Sequence, residues 1–232
     1  MKYQKWHIGT AAEGDTALLR EAGYPGLLAT VLASRGITTA EAAAGSSPVL
    51  SVGQVLRRYP AYTWLLVGCA LLMACHSATC TYMIHIVGKV GGSESMMGSA
   101  LAVAAFLELP AMGLFSRVRR KVPLGWLLIF CAVFFVIRAG LFWAARSVPV
   151  LYLAAALDFF EYGIFIPATV YYVAEHIDPA NQVKGQSLMG MATTGVGSAF
   201  GNFVSGQLLD RAGVSGMLLF CTICATVGLL VV

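Results

Sequence analysis

Six long apolar runs most constrain what this sequence can fold into. A hydrocarbon layer about 30 Å thick requires roughly 20 apolar residues per helix, and each run is close to that length. β-Barrel strands would instead alternate polar and apolar residues over about ten positions. We therefore predict an all-α membrane protein in which residues 48–232 form six transmembrane helices, at about Tyr62–Ile86, Met96–Phe115, Leu124–Ala145, Val150–Ala174, Ser187–Leu209 and Val214–Val232.

The composition favours lipid over water as the solvent of this region. Only 11% of the 232 residues are charged and 58% are hydrophobic, whereas a soluble domain carries about 25% charged residues. The net charge of +4 does not indicate nucleic acid, because the basic residues form short clusters beside the apolar runs. The six cysteines lie within the apolar runs and lack the spacing of a metal site. We predict a bilayer as partner, with no metal, cofactor or nucleic acid.

Residues 1–47 differ from the rest because charged residues occur there at a frequency closer to that of a soluble protein. Lys5-Trp6, Leu27-Leu28-Ala29 and the stretch 32–39 resemble the N-terminus of the bacterial single-strand-specific exonuclease RecJ. The likeness covers about residues 1–44 and includes none of that family's metal-binding motifs, so it implies no nuclease activity. We interpret residues 1–47 as a soluble segment joined to the membrane region by a fusion or a gene-model join; a disordered tail is the alternative.

The distribution of lysine and arginine predicts the orientation of the chain. Seven positive residues lie on one side of the predicted spans and three on the other. The larger set consequently belongs to the cytoplasm, which places the N-terminus there and the protein in the bacterial plasma membrane. The seven are Arg57, Arg58, Arg117, Arg119, Arg120, Lys121 and Lys184, and the three are Lys89, Arg146 and Arg211.

Four residues with formally charged side chains fall within the predicted spans: Glu108, Arg138, Asp158 and Glu161. Each costs at least about 2.5–3.5 kcal/mol to insert, so it usually faces a partner or a cavity. At 1.5 Å per residue, Arg138, Asp158 and Glu161 overlap in depth, and positions 158 and 161 share one helix face. Burial favours a neutral carboxyl and a nearby arginine favours a charged one. Either Arg138 pairs with one carboxylate while the other exchanges a proton, or the ion pair is purely structural.

Glu108 and two further residues, His76 and Tyr162, are weaker candidates for transport. Glu108 precedes Leu109-Pro110, and a proline inside a helix bends it, so Glu108 is either a gate carboxylate or a cap for a neighbouring helix. His76 either lines a substrate cavity or bonds to a neighbouring helix. Tyr162 is a candidate for the same cavity.

The region from about residue 50 to 232 resembles the C-terminal half of a major facilitator superfamily transporter, in the lactose permease and phenylpropionate permease branch. The likeness rests on Glu108-Leu109-Pro110, the basic loop after Gly113, Arg138, and the stretch Leu157–Glu161. It implies that Arg138 and Glu161 serve proton coupling. Asp158 stands where the sugar permease has a histidine, which puts a galactoside substrate in doubt.

The resemblance implies a proton-coupled carrier, by symport or antiport, of a small organic solute, with this chain supplying one six-helix half and an N-terminal half as partner. The first alternative is a truncated or misjoined membrane fragment without turnover, and the remote one is an exonuclease fragment. An enzyme is not expected, because the sequence contains neither His-Glu-x-x-His nor Gly-x-Ser-x-Gly. We therefore name no catalytic residues.

Overall fold

The computed structural model describes residues 13–21, 26, 29–30, 33 and 49–232. The chain divides into two compact units, Met1–Val49 and Leu50–Val232. In the first unit the described part includes helix α1 (Glu13–Glu21). Most of the RecJ-like stretch, including Lys5-Trp6, lies outside the described residues.

The described residues form helices and no strands, which confirms the all-α prediction. Two 3₁₀ turns, at Leu157–Phe159 and Pro179–Asn181, and one π-helical stretch, at Met191–Gly197, interrupt the α-helices. The second unit contains α2 (Val52–Arg58), α3 (Pro60–Thr81), α4 (Met83–Lys89), α5 (Glu94–Arg119), α6 (Leu124–Ala144), α7 (Val148–Ala156), α8 (Tyr162–His176), α9 (Gln182–Gly190) and α10 (Ser198–Val231).

Local sequence signals set the start of the membrane unit. The Ser51 backbone N–H donates to Gln54 Oε1 at 2.7 Å, and the Gln54 N–H donates to Ser51 Oγ at 3.4 Å. This reciprocal pair is a capping box, which satisfies two N–H groups at the beginning of α2. Pro60 begins α3, a position where its missing N–H costs no hydrogen bond.

Within the described residues, five helical segments are long and apolar enough to cross a membrane. The last contains 53 residues, which at 1.5 Å per residue would extend about 80 Å and exceed twice the hydrocarbon thickness. The chain is thus a multi-pass membrane protein. The five segments are Pro60–Thr81, Glu94–Arg119, Leu124–Ala144, Val148–His176 and Pro179–Val231.

A reversal at Gly213 divides the last segment. Gly213 has φ 69° and ψ −175°, a conformation that glycine adopts without steric cost. Ser205 Oγ and Cys221 Sγ lie 3.8 Å apart, although 16 residues of straight helix would separate them by about 24 Å. The two arms of α10 therefore run side by side. Six crossings remain a prediction, and this reversal supports it.

Small residues bring α3 into close contact with the final segment. A Cβ added to Gly197 would lie 2.5 Å from the carbonyl oxygen of Ala70, and one added to Gly201 would collide with the backbone of Ala74. The helices consequently meet backbone to backbone, as is typical of small residues four apart in membrane helices. The spacing of Gly197 and Gly201, four residues apart, is the sequence pattern that matches this contact.

The fourth predicted span is not one continuous helix, although the side chains of residues 158 and 161 both reach Arg138 Nη1. The helix ends at Ala156, Asp158 lies in a 3₁₀ turn, and Glu161 has φ −81° and ψ −88° before α8 begins. The backbone N–H of Glu161 still donates to the carbonyl of Leu157 at 3.2 Å. Irregular backbone at membrane depth is tolerated where protein buries it.

Helix α5 behaves differently at its proline. Pro110 lies inside one helix that continues from Glu94 to Arg119, so no break separates Glu108 from the loop beyond. A Cβ on Gly163 would lie 2.6 Å from the Ala111 side chain. The beginning of α8 therefore packs closely against the middle of α5, next to Glu108.

Candidate functional site

Arg138 of α6 is the centre of a buried ion-pair cluster. Its Nη1 lies 3.0 Å from Glu161 Oε1 and 3.2 Å from Asp158 Oδ1. Arg138, Asp158 and Glu161 are 2%, 2% and 1% exposed. Each carboxylate comes from the interruption between α7 and α8, which turns both side chains towards α6. The break in the helix thus places two charges around one guanidinium nitrogen.

His76 of α3 completes this cluster. Its Nδ1 lies 3.1 Å from Glu161 Oε1, 3.2 Å from Arg138 Nη1 and 3.7 Å from Asp158 Oδ1. On the other side of the ring, Nε2 lies 3.7 Å from Cys80 Sγ. The imidazole therefore contacts the cluster with one nitrogen and a thiol one helical turn away with the other.

The two short contacts of His76 Nδ1 exclude each other chemically. Arg138 can only donate, so Nδ1 must be unprotonated to accept from it. A carboxylate can only accept, so Nδ1 must carry a proton to donate to Glu161. One proton on Nδ1 consequently decides which of the two partners the imidazole binds.

Aromatic rings enclose the cluster. Tyr162 stacks on His76 with ring centroids 4.4 Å apart and planes 5° from parallel. Phe135 meets the imidazole edge-on at 6.2 Å, and the Arg138 guanidinium lies over the Phe142 ring at 5.2 Å. Such rings exclude water and hold the imidazole and guanidinium planes in place.

The cluster has more negative than positive groups. Glu108 of α5 interacts electrostatically with Asp158, so three carboxyl groups share the guanidinium of Arg138. Arg138 Nε, Asp158 Oδ1 and Glu161 Oε2 are buried without a hydrogen-bond partner. Buried polar atoms are normally paired, so the two carboxylate oxygens have capacity for a proton or for a donor group on a ligand, and Arg138 Nε has capacity for an acceptor.

The same atoms have a spacing that a metal ion can use. One donor atom each from His76, Asp158 and Glu161 lies within 4.8 Å of the others. However, Arg138 Nη1 is within about 3 Å of all three ligand atoms. The guanidinium supplies the positive charge that a cation would bring, and a metal would have to displace it.

Sequence reasoning named the members of this cluster but not its arrangement. The structure brings together Arg138, Asp158, Glu161, His76 and Tyr162, with Glu108 beside them. His76 was predicted either to line a cavity or to bond to a neighbouring helix, and the structure places it in contact with both a carboxylate and Arg138. Cys80 was missed; its spacing of four residues from His76, one turn along a helix, is the signal that relates the two.

The fold and this centre define a multi-pass α-helical membrane protein with a buried, incompletely paired ion cluster. A profile of the MFS_1 like family matches residues 22–221. The chain belongs to the MFS_1 like family. The match begins within the segment that resembles RecJ, so family similarity extends to residues before the predicted boundary at 47.

Two curated relatives are named as a permease and a transporter. The maltose permease of Geobacillus stearothermophilus is 27% identical over 167 residues, which cover 72% of this chain and 42% of the permease. The uncharacterized transporter YwbF of Bacillus subtilis (strain 168) is 23% identical over 148 residues, covering 64% of this chain and 37% of the relative. The chain thus spans less than half the length of these relatives. No solved structure matches it significantly.

Proposed function

We propose that this chain is one six-helix half of a secondary transporter that couples the movement of a small organic solute to protons. The observation that carries the proposal is the exclusive choice at His76 Nδ1, which lies 3.2 Å from Arg138 and 3.1 Å from Glu161. A single proton changes the hydrogen bonding of a buried cluster built from five different helical elements. Proton binding can in this way alter how those elements pack.

The charge balance of the cluster favours proton exchange over a static ion pair. One guanidinium faces two fully buried carboxylates and the partly buried Glu108. Uncompensated charge in the membrane interior is costly, so a proton on the cluster relieves an excess of negative charge. When the proton leaves, Arg138 becomes the main counter-charge of both Asp158 and Glu161.

The solute would bind between this chain and an N-terminal half. In carriers built from repeated halves, the substrate site lies near the bilayer midplane at the repeat interface. The length of the relatives supports such a partner, because this chain covers 42% of the maltose permease. That relative's name adds maltose to the solutes worth testing. Membership of the lactose and phenylpropionate permease branch, and symport or antiport, are part of the same proposal.

We propose residues 1–47 as a separate soluble segment on the cytoplasmic side of the plasma membrane, followed by the transporter half from residue 48. The likeness of this segment to RecJ stays a prediction, and it implies no nuclease site. The orientation rests on the basic loop Arg117–Lys121 and the pair Arg57 and Arg58, which mark the cytoplasmic side of bacterial membrane proteins.

The test is uptake into proteoliposomes that contain this chain together with an N-terminal six-helix half. The panel contains maltose, other sugars, aromatic acids and nucleosides. An imposed pH gradient should drive uptake, and Glu161→Gln should reduce it to the rate of empty liposomes. Exchange of solute at equal pH should continue in that variant, because exchange requires no net proton release.

Glu94→Gln is the matched control, because Glu94 is an exposed carboxylate at the beginning of α5. It should transport as the unmodified chain does. If the Glu161→Gln variant still concentrates solute with the pH gradient, proton coupling at this cluster is refuted. If no solute moves even with both halves present, the chain is the non-transporting fragment that we named as the alternative.

A further inference from the structure

We propose that a lipid-facing groove formed by α5, α6 and α8 binds one anionic phospholipid. An acyl chain would lie in the groove, and the phosphate would lie on the basic loop between α5 and α6. This inference is independent of proton coupling. Phe159 and Phe160, which lie between Asp158 and Glu161 in the sequence, line this groove, but none of the described residues that line it is titratable.

The groove has the size and lining of a site for an apolar chain. Its volume is about 590 Å³, within the range of about 300–1,000 Å³ found for ligand sites. Every residue that lines it is aliphatic or aromatic. A polar solute would find no group to orient it here, since solute sites combine apolar walls with a few placed polar groups. Its lining includes Leu114, Val118, Val122, Trp126, Phe130 and Phe160.

The groove begins at a cluster of positive charge. Val118 and Val122 line it, and Arg119, Arg120 and Lys121 lie between them in the sequence, with Arg117 just before. Phe130 is six residues beyond the beginning of α6, so the groove extends roughly 9 Å into the membrane from that end. A phospholipid whose chain follows the groove would have its phosphate at the basic loop.

One of the four cations at the end of α5 and in the loop that follows is already engaged. Arg119 forms an ion pair with Glu175 of α8 and lies 4.3 Å from the centre of the Tyr171 ring. This contact joins the end of α5 to α8, next to Val118, which lines the groove. Among the residues that the structure describes, Arg117, Arg120 and Lys121 have no ion pair within 4.0 Å, and all three are exposed. They are available to a phosphate.

Trp126 adds a third feature of a lipid site. Its side chain is 65% exposed although it lines the groove, and tryptophan prefers the level of the lipid headgroups. Basic pockets between transmembrane helices bind anionic headgroups, and each cation contributes about 1 kcal/mol near the membrane surface. The loop therefore selects for a charged headgroup, whereas the groove alone would accept any lipid.

The experiment is native mass spectrometry of the purified chain in micelles that contain equal amounts of phosphatidylglycerol and phosphatidylcholine with identical acyl chains. We expect one phosphatidylglycerol to remain bound. In Arg117→Gln/Arg120→Gln/Lys121→Gln its affinity should fall by about fivefold for each cation removed. The control is Arg57→Gln/Arg146→Gln/Arg211→Gln, which removes the same charge from exposed positions elsewhere and should retain the lipid.

A second pair of variants tests the groove. Leu114→Trp should fill it and release the lipid, whereas Leu153→Trp, at an exposed position of α7, should not. A titration with inorganic phosphate alone distinguishes a headgroup site from a simple anion site, and it should not displace phosphatidylglycerol. Circular dichroism checks that each variant is folded.

Four outcomes would overturn the proposal. The first is equal retention of the two lipids. The second is an equal loss in both triple variants, which would indicate a general effect of net charge. The third is occupation of the groove by protein, seen as a dimer that forms at the expense of lipid binding and is disrupted by Leu114→Trp. Displacement of phosphatidylglycerol by phosphate alone would likewise overturn it, because it would show that the acyl chain does not contribute to binding.

Discussion

Helix α3 uses its two faces in opposite ways. Ala70 and Ala74 on one face meet the backbone of Gly197 and Gly201, while His76 on the other meets Arg138 and Glu161. At 3.6 residues per turn, His76 is about 200° around the helix from Ala74. One side of the bundle is thus held by close backbone packing and the other by charge.

The difference follows from the solvent. Lipid is as apolar as leucine, so apolar side chains alone give little driving force for helix association. Small residues overcome this by letting many atoms come into van der Waals contact. The charged cluster pays a desolvation cost that its own attraction recovers only in part. We infer that the glycine face is the stable support and that the charged face is the part able to change.

The largest effect should come from removing the counter-charge. Arg138→Gln leaves Asp158 and Glu161 buried without a guanidinium, and breaking a buried pair in this way costs roughly 3–5 kcal/mol. We expect that loss in the free energy of unfolding, measured by titration with a denaturing detergent at neutral pH. The double variant Arg138→Gln/Glu161→Gln should recover part of it, because one uncompensated charge is removed.

The energetic coupling between positions 138 and 161 decides whether the charges are buried. If Arg138→Gln costs less than about 1 kcal/mol and the double variant recovers nothing, water reaches the cluster and the charges are not buried. The charged face would then resemble a hydrated cavity, and its contrast with the glycine face would disappear.

A smaller loss should follow from crowding the glycine face. Gly201→Leu forces a side chain into the backbone of Ala74, and overpacking of this kind typically costs about 1–3 kcal/mol. Gly113→Leu is the control, because a Cβ at Gly113 has no neighbour within 4 Å, and it should unfold like the unmodified chain. Equal losses in the two variants would show that the close contact does not support the fold.

The sequence predicts the glycine contact of α3 better than the charged contact on its other face. Run length and the spacing of Gly197 and Gly201 indicate the spans and the small-residue contact. Depth along the helices brings Arg138, Asp158 and Glu161 to one level. The rotation of each helix is not readable, because a helix that is apolar all round gives no sided pattern. For that reason the role of His76 stayed open between a cavity and a helix contact.

Backbone interruptions were the second obstacle. Nothing in Leu157–Glu161 marks a break by glycine or proline, so a continuous helix was the reasonable prediction. The break is stabilised by tertiary contacts of Asp158 and Glu161 with Arg138 and His76, which local propensity does not contain. Gly213, by contrast, lies between two predicted spans, where a reversal was expected.

The smallest effect on stability, but the most specific one, concerns His76. Interhelical hydrogen bonds in membranes contribute about 0.6 kcal/mol on average, so His76→Asn should remain folded with a loss of that order.

The imidazole nitrogens of His76 report directly on whether Nδ1 carries a proton. In Glu161→Gln a neutral amide oxygen, a weaker acceptor than the carboxylate, faces Nδ1, so Nδ1 should accept from Arg138 and the proton should shift to Nε2. Nitrogen NMR of histidine-labelled protein measures this tautomer, with His76→Asn identifying the signal among the four histidines. An unchanged spectrum in Glu161→Gln would mean that Glu161 does not influence the proton on His76, and the charged face would then be a static ion pair like any other buried salt bridge.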